Sequence, residues 1–76
     1  MKKIICKKLY DTENATIVKK VTSGELGSAE GYEETLYMSP DGSYFIYTNG
    51  GENSKYKKED IKRASKAVAD AFINGN

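Results

Sequence analysis

Few side chains in this 76-residue sequence could carry out acid–base, nucleophilic or metal chemistry. There is no histidine, which removes the commonest general base and the commonest metal ligand. One cysteine, Cys6, cannot build a structural zinc site, and we interpret it as a packing residue in the middle of a strand. The sequence therefore predicts a protein that is not an enzyme and that has no cofactor or metal site.

Three groups of residues have suitable types for a site but an unsuitable arrangement. Glu33 and Glu34 are adjacent at the start of a predicted strand, so their side chains point to opposite faces and cannot act as an acid–base pair. Glu25 and Glu30 lie in a glycine-containing loop. Residues 49–55 (NGGENSK) contain the components of an anion-binding nest without the spacing of a phosphate-binding loop. We interpret this segment as a plain connection.

Charge is distributed unevenly along the chain, although the formal net charge is only +1. Residues 1–20 contain six lysines and two acidic residues, and residues 55–76 contain six basic and three acidic residues. Residues 21–54 contain six acidic residues and no basic one. This middle segment would repel phosphates, whereas it could present an acidic face to a basic protein.

Composition is that of a globular protein. Apolar residues make up 38% and charged residues 30% of the chain, which is typical of a folded domain and not of a disordered segment. No apolar run approaches the ~20 residues of a membrane span. We predict a single domain over residues 1–76 and, because a small secreted domain usually has paired cysteines, a cytoplasmic location.

The arrangement of apolar and turn residues predicts an α+β fold. We expect a four-stranded antiparallel sheet with one C-terminal helix packed on one face, in the order ββββα. The first two strands should pair as a hairpin because the segment between them is short. Predicted strands are Lys2–Tyr10, Ala15–Val21, Glu33–Met38 and Ser43–Thr48, and the predicted helix is Lys57–Ile73.

The helix is predicted from apolar residues that recur at helical spacing. Glu59 and Asp60 would then lie in its first turn, where the helix dipole favours acidic groups. Asn74 and Gly75 provide a stop signal. The apolar stripe consists of Ile61, Ala64, Val68, Ala71 and Phe72.

Residues 40–42 (Pro-Asp-Gly) predict a tight turn between the third and fourth strands. Proline presets φ, aspartate can bond its own backbone, and glycine accepts a positive φ. If the loop has three residues, Leu36 lies opposite Ile46. Tyr37 then lies opposite Phe45 on the other face, whereas a two-residue loop would change these pairs.

One helix can cover only one face of such a sheet. The aliphatic pair at Leu36 and Ile46 suits the helix side, which leaves the aromatic residues on the other side. We therefore expect an open sheet face that carries Tyr37, Phe45 and Tyr47, either simply half-exposed or used for recognition.

The sequence resembles a family of short uncharacterised prokaryotic proteins from phages and mobile elements. Members of that family run approximately YDTETA, then ETLYRTKKGxYFLYGEGG, then SKY, then a helix. The corresponding pieces here are YDTENA at 10–15, ETLY at 34–37, Gly42, YFIY at 44–47, the glycines at 50–51, and SKY at 54–56. The family often has a longer polar loop after SKY, which this chain lacks.

We predict from these features a small non-enzymatic protein-binding module that occludes a surface on a larger protein partner. The mobile-element setting implied by the resemblance points to an inhibitor of a host defence complex, as anti-CRISPR proteins are. The candidate contact residues are the aromatic residues Tyr37, Phe45 and Tyr47 and the acidic residues Glu30, Glu33 and Glu34.

Two alternatives remain open on the sequence alone. Lysine pairs at 2–3, 7–8, 19–20 and 57–58 would suit a nucleic-acid-binding module that uses the lysine-rich strands and the helix start. A homodimer formed through the open face or an edge strand would compete with the partner. No membrane association is expected.

Overall fold

A computed structural model of the protein describes residues 1–24, 30–54 and 56–75. Six strands precede one helix in these ranges, so the order is ββββββα and not ββββα. The coarser prediction of an α+β fold with a four-stranded antiparallel sheet and a C-terminal helix is confirmed. The elements are β1 Lys2–Ile5, β2 Lys8–Asp11, β3 Thr16–Ser23, β4 Tyr32–Met38, β5 Tyr44–Gly50, β6 Asp60–Ala64 and α1 Lys66–Asn74.

The four-stranded sheet has the strand order β3-β4-β5-β6. Its central hairpin has the predicted register, because Leu36 pairs with Ile46 and Tyr37 pairs with Phe45. The loop contains three residues, and Gly42 has a φ of 88°, as the Pro-Asp-Gly segment requires. Gly50 ends β5, where a side chain would collide with the backbone and side chains around it.

Residues 2–11 fold back on themselves and do not form one long strand. β1 and β2 form a separate two-stranded antiparallel sheet, and β3 pairs with β4. The reversal is made by Cys6 and Lys7, whose φ angles are 51° and 66°. Positive φ at both central residues is the requirement of a type I′ hairpin turn. The predicted strand Lys2–Tyr10 and its predicted pairing are therefore wrong, and Cys6 is an exposed turn residue.

The predicted helix Lys57–Ile73 divides into a strand and a shorter helix. Its first part becomes β6, which pairs with β5 and places Ile61 opposite Tyr47. Ile61 is fully buried there, and Ala64 ends the strand. A strand is favoured because the free edge of β5 supplies hydrogen-bond partners to every other backbone group of this segment.

Ser65 marks the true start of the helix. Its Oγ accepts a hydrogen bond of 3.2 Å from the backbone nitrogen of Val68, as an N-cap does. The first turn of α1 contains no acidic residue, so the predicted dipole role of Glu59 and Asp60 is wrong. The helix ends as predicted, with Gly75 as its C-cap.

The β1–β2 hairpin covers one face of the four-stranded sheet. Tyr10, Phe45 and Ile61 form a buried cluster, and the ring of Tyr10 meets that of Phe45 edge-on, with centroids 5.5 Å apart. Phe45 has no exposed surface. The predicted open aromatic face is therefore wrong, because two strands read as one from the sequence form a ribbon that packs over it.

Helix α1 covers the opposite face. Leu36 is fully buried and lies on the face away from Phe45, since neighbouring residues of a strand point to opposite sides. Ala69 of α1 is also fully buried, and α1 contacts β5 and β6. Lys19, which pairs with Leu36, donates a hydrogen bond of 2.8 Å to the carbonyl of Ile73. The sheet is thus enclosed between a hairpin and a helix.

Candidate functional site

An open groove of about 1110 Å³ lies where β1 runs beside β6. Tyr10 and Ile61, both buried, lie at its base. Four cationic side chains line it against one carboxylate, that of Asp60. We call this surface the basic groove and define it by Lys3, Tyr10, Ile61, Lys62, Arg63 and Lys66.

Three elements hold the cations in place. Lys62 and Arg63 are consecutive in β6, so the strand directs their side chains to opposite faces of the sheet at its edge. Lys66 is the first residue of α1, at the end of the groove. Lys3 comes from β1 on the facing wall. The groove therefore exists only because the hairpin and β6 are brought side by side.

One pair neutralises part of the charge in the groove. Lys3 Nζ lies 2.5 Å from Asp60 Oδ1, and both side chains are partly exposed. The hydrogen bond from Lys3, together with one from the backbone nitrogen of Ile61, lowers the pKa of Asp60. Among the residues that the structure describes, Lys62, Arg63 and Lys66 form no ion pair. These three exposed charges remain available to an anionic partner.

β6 is also an edge of the four-stranded sheet. It pairs with β5 on one side, and in the described part of the chain no strand pairs with its other side. On that side the backbone N–H of Ile61 donates to Asp60 Oδ1 at 2.9 Å, and Ile61 has no exposed surface. The edge is therefore partly closed by the chain itself, and the charges of the groove are its accessible feature.

The aromatic residues predicted to contact a partner are mostly parts of the packed structure. Phe45 is enclosed, and the ring of Tyr37 stacks on it with centroids 5.1 Å apart and planes 6° apart. Tyr47 is half-buried and donates a hydrogen bond of 2.9 Å to Glu59 Oε2. Burial and that hydrogen bond raise the pKa of Tyr47 to about 12. Tyr37, like Tyr47, is half-buried.

The predicted acidic residues do not gather on one surface. Glu33 lies on the face of Tyr47 and is 3.4 Å from the ammonium of Lys20. Glu34 lies on the opposite face and accepts a hydrogen bond of 2.5 Å from the hydroxyl of Tyr56. Glu30 is exposed ahead of β4. The acidic face predicted from residues 21–54 is therefore divided, and three of its carboxylates, those of Glu33, Glu34 and Asp41, are already bonded.

Tyr56 closes the Glu34 side of the sheet. Its ring packs edge-on against Tyr32 with centroids 5.4 Å apart, and its hydroxyl bonds to Glu34. Burial and the Glu34 carboxylate raise the pKa of Tyr56 to about 12. Tyr56 thus anchors the end of the loop to β4.

The glycine-containing loop after β5 has no free nest of amides in its described part. The nitrogen of Gly51 donates to the carbonyl of Gly31 at 2.9 Å, and buried Ser54 donates to the carbonyl of Gly51 at 2.6 Å. The loop is a connection that satisfies its own polar groups. Glu25 and Lys55, which belong to the weak metal and anion patterns, lie outside the described residues.

Other lysine pairs of the sequence are engaged elsewhere. Lys8 bonds to Asp41 and Ser43 of the central hairpin loop, which fastens the ribbon to the sheet. That contact lowers the pKa of Asp41 to about 2.

No group of three metal-ligating side chains occurs within residues 1–24, 30–54 and 56–75. Helix α1 is too short to cross a bilayer, and the described ranges contain no longer helix.

Comparison with known proteins gives no relative for this chain. No family model matches it, and no curated protein or solved structure shows significant similarity to it. The function must therefore be argued from the basic groove and the edge strand beside it.

Proposed function

We propose that this protein is a small non-enzymatic binding module that docks on a larger protein and occludes part of its surface. The single observation that carries the proposal is the basic groove, which is lined by three exposed cations that form no ion pair among the residues that the structure describes. Charge of one sign in a concave site steers an oppositely charged partner and sets its orientation. The partner surface is accordingly acidic.

The proposed interaction has the opposite sign of charge to the one expected from the sequence. The sequence indicates an acidic face for a basic partner, but Glu33 and Glu34 are bonded on opposite faces of the sheet. Lys62, Arg63 and Lys66 all line the basic groove, Lys62 and Arg63 from opposite faces of β6, and they have no ion pair within the described residues. A free cluster of charge contributes more to steering than a neutralised one, so the basic groove replaces the aromatic face as the contact surface.

Binding suits this site better than catalysis. The groove contains cations and one ion-paired carboxylate, and the sequence supplies no histidine to activate a nucleophile. In the proposed function, the protein works without a cofactor or metal. In view of the family resemblance, the proposed setting is the cytoplasm of a host cell, where the protein blocks a defence complex of that host.

A nucleic-acid-binding module is the second candidate. The observation in its favour is that Lys3 and Lys66, from the lysine-rich first strand and the start of the helix, meet in the same groove as Tyr44. Cations interleaved with tyrosine are typical of single-strand binding sites. Binding of this kind would weaken steeply as salt concentration rises.

Reversing the groove charges should abolish partner capture. The triple variant Lys62→Glu, Arg63→Glu, Lys66→Glu is expected to weaken binding by at least about tenfold, because each contact becomes repulsive. All three side chains are exposed, so the free energy of unfolding should change by less than about 1 kcal/mol. The measurement is affinity capture from a lysate of the native host, compared by mass spectrometry between the variant and the original protein.

A matched variant separates the groove from overall charge. Lys2, Lys57 and Lys58 are exposed and lie outside the groove, so their replacement by glutamate changes the net charge equally. We expect this control to retain the captured protein. Equal loss in both variants would contradict the proposal. Loss of capture after nuclease treatment would favour the nucleic-acid candidate.

A further inference from the structure

We infer that a small pocket between β2 and the loop of the central hairpin binds a guanidinium group. The pocket has a volume of about 230 Å³ and shares no lining residue with the basic groove. Its walls are Lys8, Leu9 and Asp11 of β2, together with Asn14 and residues 39–41. We call it the acidic pocket. The inference goes beyond the proposed function, because neither site needs the other.

The carboxylate of Asp11 is buried without a counter-charge. Asp11 is 7% exposed, and its oxygens accept hydrogen bonds from the backbone nitrogen of Glu13 at 3.0 Å and from the Asn14 amide at 2.7 Å. It forms no ion pair with any described residue, including Lys2 across the ribbon. Buried charges are normally paired, since neutral hydrogen bonds alone replace water poorly. The pocket therefore favours a cation.

A second polar group of the pocket has no partner either. Ser39 is 6% exposed, and its hydroxyl makes no hydrogen bond with any residue that the structure describes. No fully enclosed polar side-chain atom in those residues is unbonded, so this hydroxyl keeps access to the pocket that Ser39 lines. Buried hydroxyls are normally bonded to protein, water or ligand. A ligand that donates hydrogen bonds would satisfy it.

The one cation of the acidic pocket is already engaged. Lys8 donates to Asp41 and to Ser43, so the ion pair neutralises Asp41. The charge that remains is that of Asp11. The acidic pocket is therefore opposite in sign to the basic groove, and a ligand has to bring its own positive charge.

Size and hydrogen-bonding capacity favour a guanidinium over other cations. The volume is below the roughly 300–1,000 Å³ of sites for drug-sized ligands, so it suits one group of side-chain size. A guanidinium has five N–H donors and no acceptor, and it can bond Asp11 and Ser39 together. Leu9 and Pro40 offer apolar surface to the carbon stem that carries it. No three metal-ligating side chains gather in the described residues, which disfavours a metal ion.

The test is a nuclear magnetic resonance titration of the isotope-labelled full chain with Nα-acetyl-arginine amide. The citrulline analogue is the control, because it keeps the shape of arginine without its charge. We expect amide shifts at residues 8–14 and 39–41 and binding at least about tenfold tighter for the arginine compound. Agmatine and a capped Gly-Arg-Gly peptide separate the two sources of a guanidinium. Tighter binding of agmatine would support a small molecule, and tighter binding of the peptide would support an arginine of a protein.

Asp11→Asn should weaken binding of the arginine compound by at least about tenfold, and Ser39→Ala should weaken it by a smaller factor. Asp70→Asn is the matched control, because Asp70 is exposed on α1 and its loss changes the net charge equally. If Asp11→Asn does not fold, Ser39→Ala and the citrulline comparison still decide the question.

Equal binding of the arginine and citrulline compounds would overturn the inference. Shifts outside residues 8–14 and 39–41 would also overturn it, as would unchanged binding by a folded Asp11→Asn variant. Equal or tighter binding of Nα-acetyl-lysine amide would overturn the choice of a guanidinium, and the same shifts with Ca²⁺ at lower concentration would replace it with a metal site. None of these results bears on partner capture, because the variants leave the basic groove unchanged.

Discussion

Replacing Phe45 by alanine should lower the free energy of unfolding by about 3–5 kcal/mol. Phe45 is fully buried, with Tyr10 packed edge-on against its ring and Tyr37 stacked on it. Truncation removes both ring contacts and leaves a cavity between the ribbon and the sheet. A chain of this size has a total stability of roughly 4–11 kcal/mol, so the variant should be largely unfolded or close to it.

Urea denaturation followed by circular dichroism measures this effect, and Phe45→Leu is the matched control. Leucine keeps most of the apolar volume, and we expect a loss smaller than that of alanine. An exposed aromatic residue would lose less than about 1 kcal/mol in either variant. That result would show that the β1–β2 ribbon does not cover Phe45, and it would restore the open sheet face.

Replacing Ile61 by alanine should cost about 2–5 kcal/mol, whereas replacing Val68 by alanine should cost less than about 1 kcal/mol. Ile61 is fully buried in β6, while Val68 on α1 is 48% exposed. A single helix over Lys57–Ile73 would place both residues on one buried stripe and make the two losses similar.

The comparison of Ile61→Ala with Val68→Ala therefore distinguishes a strand followed by a short helix from one long helix. In one long helix both replacements would gain a similar small amount of helix propensity, so propensity would not separate the two variants. The two unfolding midpoints in urea give the answer directly. Equal shifts would contradict the position of β6, and with it the groove.

The central hairpin could be predicted because its signals are local. Residues 40–42 are suited to one turn geometry, and that geometry sets the pairs of Leu36 with Ile46 and of Tyr37 with Phe45. Periodicity also identifies β3 and the end of α1 within a few residues. These features depend on short-range backbone preferences, which a sequence records directly.

The first hairpin could not be predicted because its turn lacks the usual residues. Type I′ turns favour asparagine and glycine, which adopt positive φ at low cost. Cys6 and Lys7 occupy those positions here, so nothing in the local sequence interrupts the run from Lys2 to Tyr10. Packing of Tyr10 and Ile5 against the sheet holds the reversal in place. Tertiary contacts thus override a local preference.

The basic groove was missed for a related reason. Ile61 and Ala64 match the spacing of the later helix by coincidence, which hides β6 inside an apparent helix. Ser65 is the one available signal, since a serine before an apolar run is a common N-cap. A helix predicted to start after Ser65 would leave Lys62 and Arg63 outside the helix, where they could be assigned to a strand.

The most direct test of the account is a nuclear magnetic resonance titration of the isotope-labelled chain with a synthetic acidic peptide that contains two adjacent glutamates. We predict that backbone amide shifts concentrate in the basic groove, at Lys3, Lys62, Arg63 and Lys66. Shifts centred on Tyr37 and Tyr47, or along β3, with β6 unchanged, would contradict the account. Either pattern would place the binding surface outside the basic groove.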